Sequence, residues 1–239
     1  MSRLMLACLA LCLPSLFLGG CSTPPGRAVA SNVDFSLGGD RIIYWDEWVR
    51  KSEPQIFVSP DRAPDNPPTA LFMPLRITQQ MEHANTVGYN LSRLVWQTWL
   101  QQGALPAIEF TEGAPPYRAD LALAYGRQHS ADLVIGGSIN YFKDGGTVGD
   151  SAVSLSLEIY EVQSGNLLWS FGQAALMQAG KVNDYLLFAT RSRMPADPAT
   201  ACLTAAAGDL AYMVRDWAYD VPPPTPARGW RSRMEPPAF

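Results

Sequence analysis

Apolar and polar residues alternate most regularly between Ala131 and Met177. Ala131–Phe142 opens as a continuous apolar run and then alternates, and Lys143-Asp-Gly-Gly146 breaks it. Val153, Leu155, Leu157 and Ile159 follow on one side, with Ser154, Ser156, Glu158 and Tyr160 on the other. A period of two puts one face of a strand on a core and leaves the other face accessible. Gln163-Ser-Gly-Asn166 has turn chemistry, since glycine and asparagine tolerate positive φ. Leu167, Trp169 and Phe171 then set the phase of a third strand. The pattern predicts a three-stranded antiparallel meander.

Upstream the period changes. Thr69–Leu75 is a short apolar strand with Pro74 near its end, where a missing donor is tolerated. Val87, Leu91, Leu94, Val95 and Trp99 recur at helical spacing, and Gly103 stops that helix just past Gln102. Ala107–Thr111 is a second strand, and Tyr117–His129 a shorter helix expected to turn Leu121, Ala124 and Tyr125 inward. Beyond the meander, Gln178–Ala199 has the least regular pattern, although Tyr185-Leu-Leu-Phe188 needs a hydrophobic neighbour. Asp197-Pro198 supplies an N-cap and a proline at the first helical position. Leu203, Ala206, Leu210, Val214 and Trp217 then form the stripe of a last helix ending near Asp220. The predicted order is β-α-β-α-β-β-β-α. This is an α/β (α+β) fold, a mixed sheet with helices packed on it, the two βα units demanding crossovers and the later strands tight turns. No period of about 20–50 residues recurs, which excludes a repeat architecture.

With 239 residues, 47% hydrophobic and 17% charged, the chain suits one globular domain with extra segments at its ends. Residues 1–20 read as a signal peptide: Arg3, an apolar run Leu4–Leu18, then Gly19-Gly20-Cys21. This order of features resembles a bacterial lipobox, which implies that Cys21 becomes the lipidated first residue. Ser22 in place of aspartate implies the periplasmic face of the outer membrane. Each buried CH2 of an acyl chain contributes about 0.8 kcal/mol, so several chains on one residue anchor firmly without spanning.

Residues 21–68 read as a lipid-anchored tether with partial structure, rich in proline at both ends. Within it Tyr44, Trp45 and Trp48 suit either the lipid headgroups or a packed edge of the domain, and the flanking Asp46 and Glu47 favour the edge. Residues 69–220 form the α/β periplasmic domain. Residues 221–239 form a Pro/Arg-rich flexible tail with Arg228, Trp230, Arg231 and Arg233. Docking of that tail on a partner is the competing reading.

The chemistry that composition excludes is broad. Cys8 and Cys12 leave with the signal and Cys21 carries lipid, so Cys202 has no partner for a disulfide or a cysteine metal cluster. A buried core thiol is favoured over a reactive one at that helix position. The formal charge of −4, or −5 once Arg3 is removed, gives no reason to expect nucleic acid. His83 and His129 belong to no HExxH pair and sit beside no cysteine nucleophile. No GxSxG elbow and no GxxxxGK[ST] loop occurs, and Gly136-Gly137 reads as close packing inside a strand. Glu109, Asp132, Glu158 and Glu161 are scattered over strands with no sequence signature that pairs them, leaving a two-carboxylate glycosidase as the weakest alternative. The reading is a non-enzyme with no catalytic, metal or cofactor site.

The stretch Ala131-Asp-Leu-Val-Ile-Gly-Gly-Ser-Ile139, followed by Val153–Val162 and Gln-Ser-Gly-Asn-Leu-Leu-Trp-Ser170, resembles a group of periplasmic lipoproteins. The group includes the curli-secretion lipoprotein, the Pel polysaccharide-export lipoprotein, a penicillin-binding-protein activator, a flagellar outer-membrane lipoprotein and the N-terminal domain of TolB. The resemblance covers about Thr69–Asp220 and implies the same fold. It also implies protein partners in an envelope assembly, with homo-oligomer formation, as an accessory or ring subunit of an export system. The alternative it implies is a regulator that binds and activates a peptidoglycan synthase. The amphipathic pore hairpins of the curli type have no counterpart in this sequence.

Overall fold

The computed structural model describes residues 33–34, 41–180, 182–185 and 188–221. In chain order the elements are β1 (Val33–Asp34), β2 (Arg41–Asp46), β3 (Arg50–Lys51), β4 (Gln55–Val58), β5 (Ala70–Phe72), β6 (Arg76–Ile77) and α1 (Ala84–Gln102). They continue with β7 (Ile108–Phe110), α2 (Ala119–Gln128), β8 (Leu133–Lys143), β9 (Ser151–Glu161), β10 (Leu167–Met177), β11 (Val182–Tyr185), β12 (Phe188–Arg193) and α3 (Pro198–Ala218). The mixed α/β order expected from periodicity is present as β5-α1-β7-α2-β8-β9-β10-α3.

The three strands of the meander are each 11 residues long and pair antiparallel in sequence order. They form the centre of an eight-stranded sheet ordered β3-β10-β9-β8-β5-β7, with β4 also pairing β10 and β6 also pairing β8. β5 runs parallel to both β7 and β8, as the βα crossovers require.

Two helices cover one face of the meander. Val153, Leu155, Leu157 and Ile159 of β9 are buried there with Ile135, Ile139, Trp169 and Phe171, and α1 and α3 pack over them with Trp99, Leu203 and Leu210. Burying each large side chain of this kind contributes about 1.5–3 kcal/mol. Asp197 caps α3 through the Thr200 amide at 2.9 Å, with Pro198 in the first turn. Gly103 ends α1 in the left-handed conformation, φ 61°.

The opposite face is covered only at one end. There α2 packs on Leu71, Met73, Val134 and Val162. The inward face of α2 matches the sequence expectation at Tyr125, which packs against this cluster with Leu123, and differs elsewhere: Ala122 and Gly126 are its buried residues, Leu121 is half-buried, and Ala124 is exposed. A β-carbon at position 126 would lie 2.5 Å from Val134 Cγ1. The helix is therefore seated through its smallest side chains, which a search for large apolar residues overlooks.

The segment Gln178–Ala199, read as irregular, contains the antiparallel hairpin β11–β12. β12 runs parallel to β2, and with β1 these strands make a second sheet ordered β1-β2-β12-β11. The sequence Phe-Ala-Thr-Arg-Ser-Arg193 has no apolar alternation that would announce a strand. Backbone pairing between segments 147 residues apart, as between Ile43 and Thr190, leaves no local signal. β3 and β4 likewise come from the stretch read as a partly structured tether, and both pair antiparallel with β10.

Candidate functional site

The uncovered end of the sheet face forms a cleft of about 520 Å³. Its floor is the polar side of the meander, its walls are the start of α2 on one side and the edge strand β4 on the other. The alternation that buries Leu155, Leu157 and Ile159 necessarily delivers Ser156 and Glu158 to this floor.

Tyr117, just before α2, is the central residue. Its hydroxyl donates to Glu158 Oε2 at 2.7 Å, and Tyr160 approaches the same oxygen at 3.4 Å. Burial, reinforced by the hydrogen bond to Glu158, pushes the Tyr117 hydroxyl well above the ordinary tyrosine range. Burial and the neighbouring Glu158 charge also raise Tyr160. Both phenols are thus held as neutral donors to one carboxylate. The ring of Tyr117 lies on Gly136, whose missing side chain gives it room. Close approach is the reason for Gly136, as the sequence implied; no phosphate chemistry is needed.

Along the floor Ser138 Oγ donates to Asn140 Oδ1 at 2.8 Å, and Asn140 Nδ2 donates to Ser156 Oγ at 2.6 Å. At the rim, Arg118 pairs with Asp120 at 2.6 Å in an exposed ion pair. Arg76 also lines the cleft, and among the described residues it has no carboxylate partner. Phe57 of β4 closes the far wall. It is 69% exposed, and its neighbours Ile56 and Val58 are exposed as well. Among the described residues β4 bonds only to β10, so the outer edge of the sheet carries three consecutive exposed apolar residues next to a polar, preformed cleft.

The other residues singled out in sequence fall elsewhere. Cys21, the signal segment and the tail beyond Val221 lie outside the described residues. Cys202 is fully buried in the main core, its thiol facing the Ser151 carbonyl at 3.7 Å, and burial pushes its pKa up to about 11. His129 Nδ1 lies 3.4 Å from Glu109 Oε1 at the surface, a pairing between a helix end and β7 that the sequence did not disclose. His83 precedes α1 in the left-handed conformation and makes no side-chain cap. Asp132 accepts from the Thr69 amide and hydroxyl, both at 2.8 Å, and Glu161 accepts from Ser164. Each scattered carboxylate has its own structural partner. Among the described residues no three His, Cys, Asp or Glu side chains gather as a metal site, and no helix is long and apolar enough to cross a membrane.

Sequence reasoning identified Glu158 and Tyr160 as outward-facing but gave no indication of Tyr117. The only available signal was Gly136-Gly137, which asks for a large neighbour.

No family model matches the sequence, and no curated protein does. Solved structures show weak likenesses to this chain. A PelC dodecamer from Paraburkholderia phytofirmans is 13% identical, with 70% of this chain and 96% of that one covered at a TM-score of 0.45. The hypothetical protein CT253 from Chlamydia trachomatis is 11% identical, covering 64% and 99% at 0.40. The LpoB C-terminal domain from Escherichia coli is 15% identical, covering 46% and 83% at 0.25.

Proposed function

We propose that this chain is a non-enzymatic lipoprotein of the outer membrane, anchored through Cys21, that works by protein–protein contact as an accessory or ring-forming subunit of an envelope export or surface-assembly system. The observation that carries this reading is the junction of the β4 edge with the cleft, made by the exposed Phe57. An edge strand offers unpaired backbone donors and acceptors, and natural proteins usually blunt such edges with charge or proline. Gln55-Ile-Phe-Val58 carries neither. An incoming strand would gain backbone hydrogen bonds from β4 and side-chain specificity from the cleft, the division of labour of β-augmentation.

The position of the anchor supports a subunit that works beside its membrane. β1 begins at Val33 and pairs with β2, so 12 peptide steps separate Cys21 from the first strand. Fully extended they reach about 40 Å. That short leash suits a collar under an outer-membrane channel better than a regulator reaching out to a distant synthase. The strands of the β11–β12 hairpin have 4 and 6 residues. A membrane-crossing strand needs about 9–11, so the channel would belong to another protein.

The test is the absolute mass of the lipidated chain in detergent by light scattering, beside a stimulation assay with purified peptidoglycan synthases. A discrete closed oligomer supports the ring, because heterologous contacts close at a fixed number. A monomer that stimulates a synthase would move the protein to the regulator class.

A further inference from the structure

We infer a second site, independent of the cleft: a binding pocket for a neutral pyranose oligosaccharide around Trp45 and Trp48. The pocket has a volume of about 390 Å³, within the range of small-molecule sites. Besides the two indoles it is lined by Asp46, Glu47, Arg50 and Gln178.

Its walls are built rather than incidental. The Glu47 amide donates to the Arg193 carbonyl at 2.9 Å, and Asp46 Oδ1 pairs with Arg193 Nε at 3.1 Å, fixing the end of β2 to β12. On the other side Arg50 and Lys51 pair with β10, and the Ser52 amide donates to the Ala174 carbonyl at 2.9 Å. Val49 packs against the main core. Opposite, the Ala179 amide is held by Asp150 Oδ1 at 2.7 Å. Between these fixed points Trp48 remains 71% exposed and Trp45 48% exposed. Held this firmly at both ends, the short connection displays an indole that contributes little to the core. Tryptophan is enriched at binding interfaces, and sites held by rigid elements are the better preorganised.

The polar groups select the ligand class. Asp46 is occupied by Arg193, whose guanidinium also lies 5.7 Å from the Tyr44 ring centre. That leaves the side chains of Glu47, Arg50 and Gln178, which have no partner among the described residues. One only accepts, one only donates and one does both. Hydroxyl groups, which donate and accept at once, match this set. The opposite charges of Glu47 and Arg50 leave no net charge to attract an ion. Indole faces complement the apolar C–H faces of a β-linked pyranose, a flat apolar surface rimmed by hydroxyls that a lipid headgroup does not offer.

The test is titration calorimetry of the full lipidated chain in detergent with chitotetraose and with cellotetraose. Binding of at least one with a Kd of about 1 mM or tighter is expected, weakened about tenfold or more in Trp48→Ala and in Glu47→Gln. Trp48 is exposed and the half-buried Glu47 side chain has no partner among the described residues, so circular dichroism should be unchanged. No heat with either sugar overturns the proposal, as does binding that neither substitution affects. A third arm uses vesicles of phosphatidylethanolamine and phosphatidylglycerol with unlipidated protein. Vesicle binding that depends on Trp48, without sugar binding, makes the pocket a membrane contact and also overturns it. The oligomer test of the β4 edge does not involve Trp48, so either reading can fail alone.

Discussion

The ring of Tyr117 occupies the space that a side chain at Gly136 would need: a β-carbon there would lie 2.0 Å from Tyr117 Cδ2. The two residues are adjacent only because β8 passes beneath the start of α2. The substitution Gly136→Ala must therefore expel the ring and break its 2.7 Å hydrogen bond to Glu158. Overpacking of this kind costs about 1–3 kcal/mol, read as a lower urea midpoint. Adding Tyr117→Ala should cost much less in the Gly136→Ala background than in the wild type, because the two changes remove one contact. Full additivity of the two would show that the ring does not rest on Gly136.

Alkaline pH should weaken the fold through the same cluster. The folded pKa values of Tyr117 and Tyr160 lie above that of a tyrosine in the unfolded chain, about 10. Above that pH the unfolded chain releases protons that the folded chain keeps, so stability falls as pH rises. Below about pH 10 both states are protonated and the contribution is fully present. Urea midpoints measured on both sides of pH 10 should decline above it, and Tyr117→Phe should flatten that decline. An identical decline in the variant would remove Tyr117 as its source.

Cys202 should behave as an interior methyl-sized group and not as a reagent. Its thiol is fully buried and raised to about 11, so thiolate is scarce and inaccessible near neutrality. Peptide mass spectrometry after iodoacetamide at pH 8 should find it unmodified in the folded protein and modified in urea. Rapid native labelling would contradict the core position.

What the sequence made legible divides along a physical line. Val153, Leu155, Leu157 and Ile159 announce their strand because one face is dry and the other wet. Asp197 and Pro198 announce α3 because capping is local chemistry. β12 carries no such mark, since Thr190, Arg191, Ser192 and Arg193 pair by backbone with distant β2. α2 announces itself and its inward Tyr125, but Ala122 and Gly126, whose small size permits close approach to Val134, leave no apolar mark. The cleft shows the same split. Glu158 and Tyr160 were visibly outward from their alternation, whereas Tyr117 meets Glu158 only through a tertiary contact across 41 residues.

The edge at β4 yields the prediction closest to function. Phe57 is 69% exposed, and Ile56 and Val58 flank it along the unpaired side of β4. A surface change there should alter folding stability by no more than about 0.5 kcal/mol. The substitution Phe57→Lys places a charge on that edge, the device by which sheets refuse strand addition. It should therefore leave the urea midpoint in place while lowering the oligomer mass in light scattering or abolishing capture of a partner strand. Val148 is 89% exposed and lies in the turn between β8 and β9, so Val148→Lys serves as the matched control. Equal association in wild type, Phe57→Lys and Val148→Lys would mean that the β4 edge is not the contact surface. Loss in Phe57→Lys alone would identify it, and adding Arg76→Ala would then show whether the bound strand also uses the cleft.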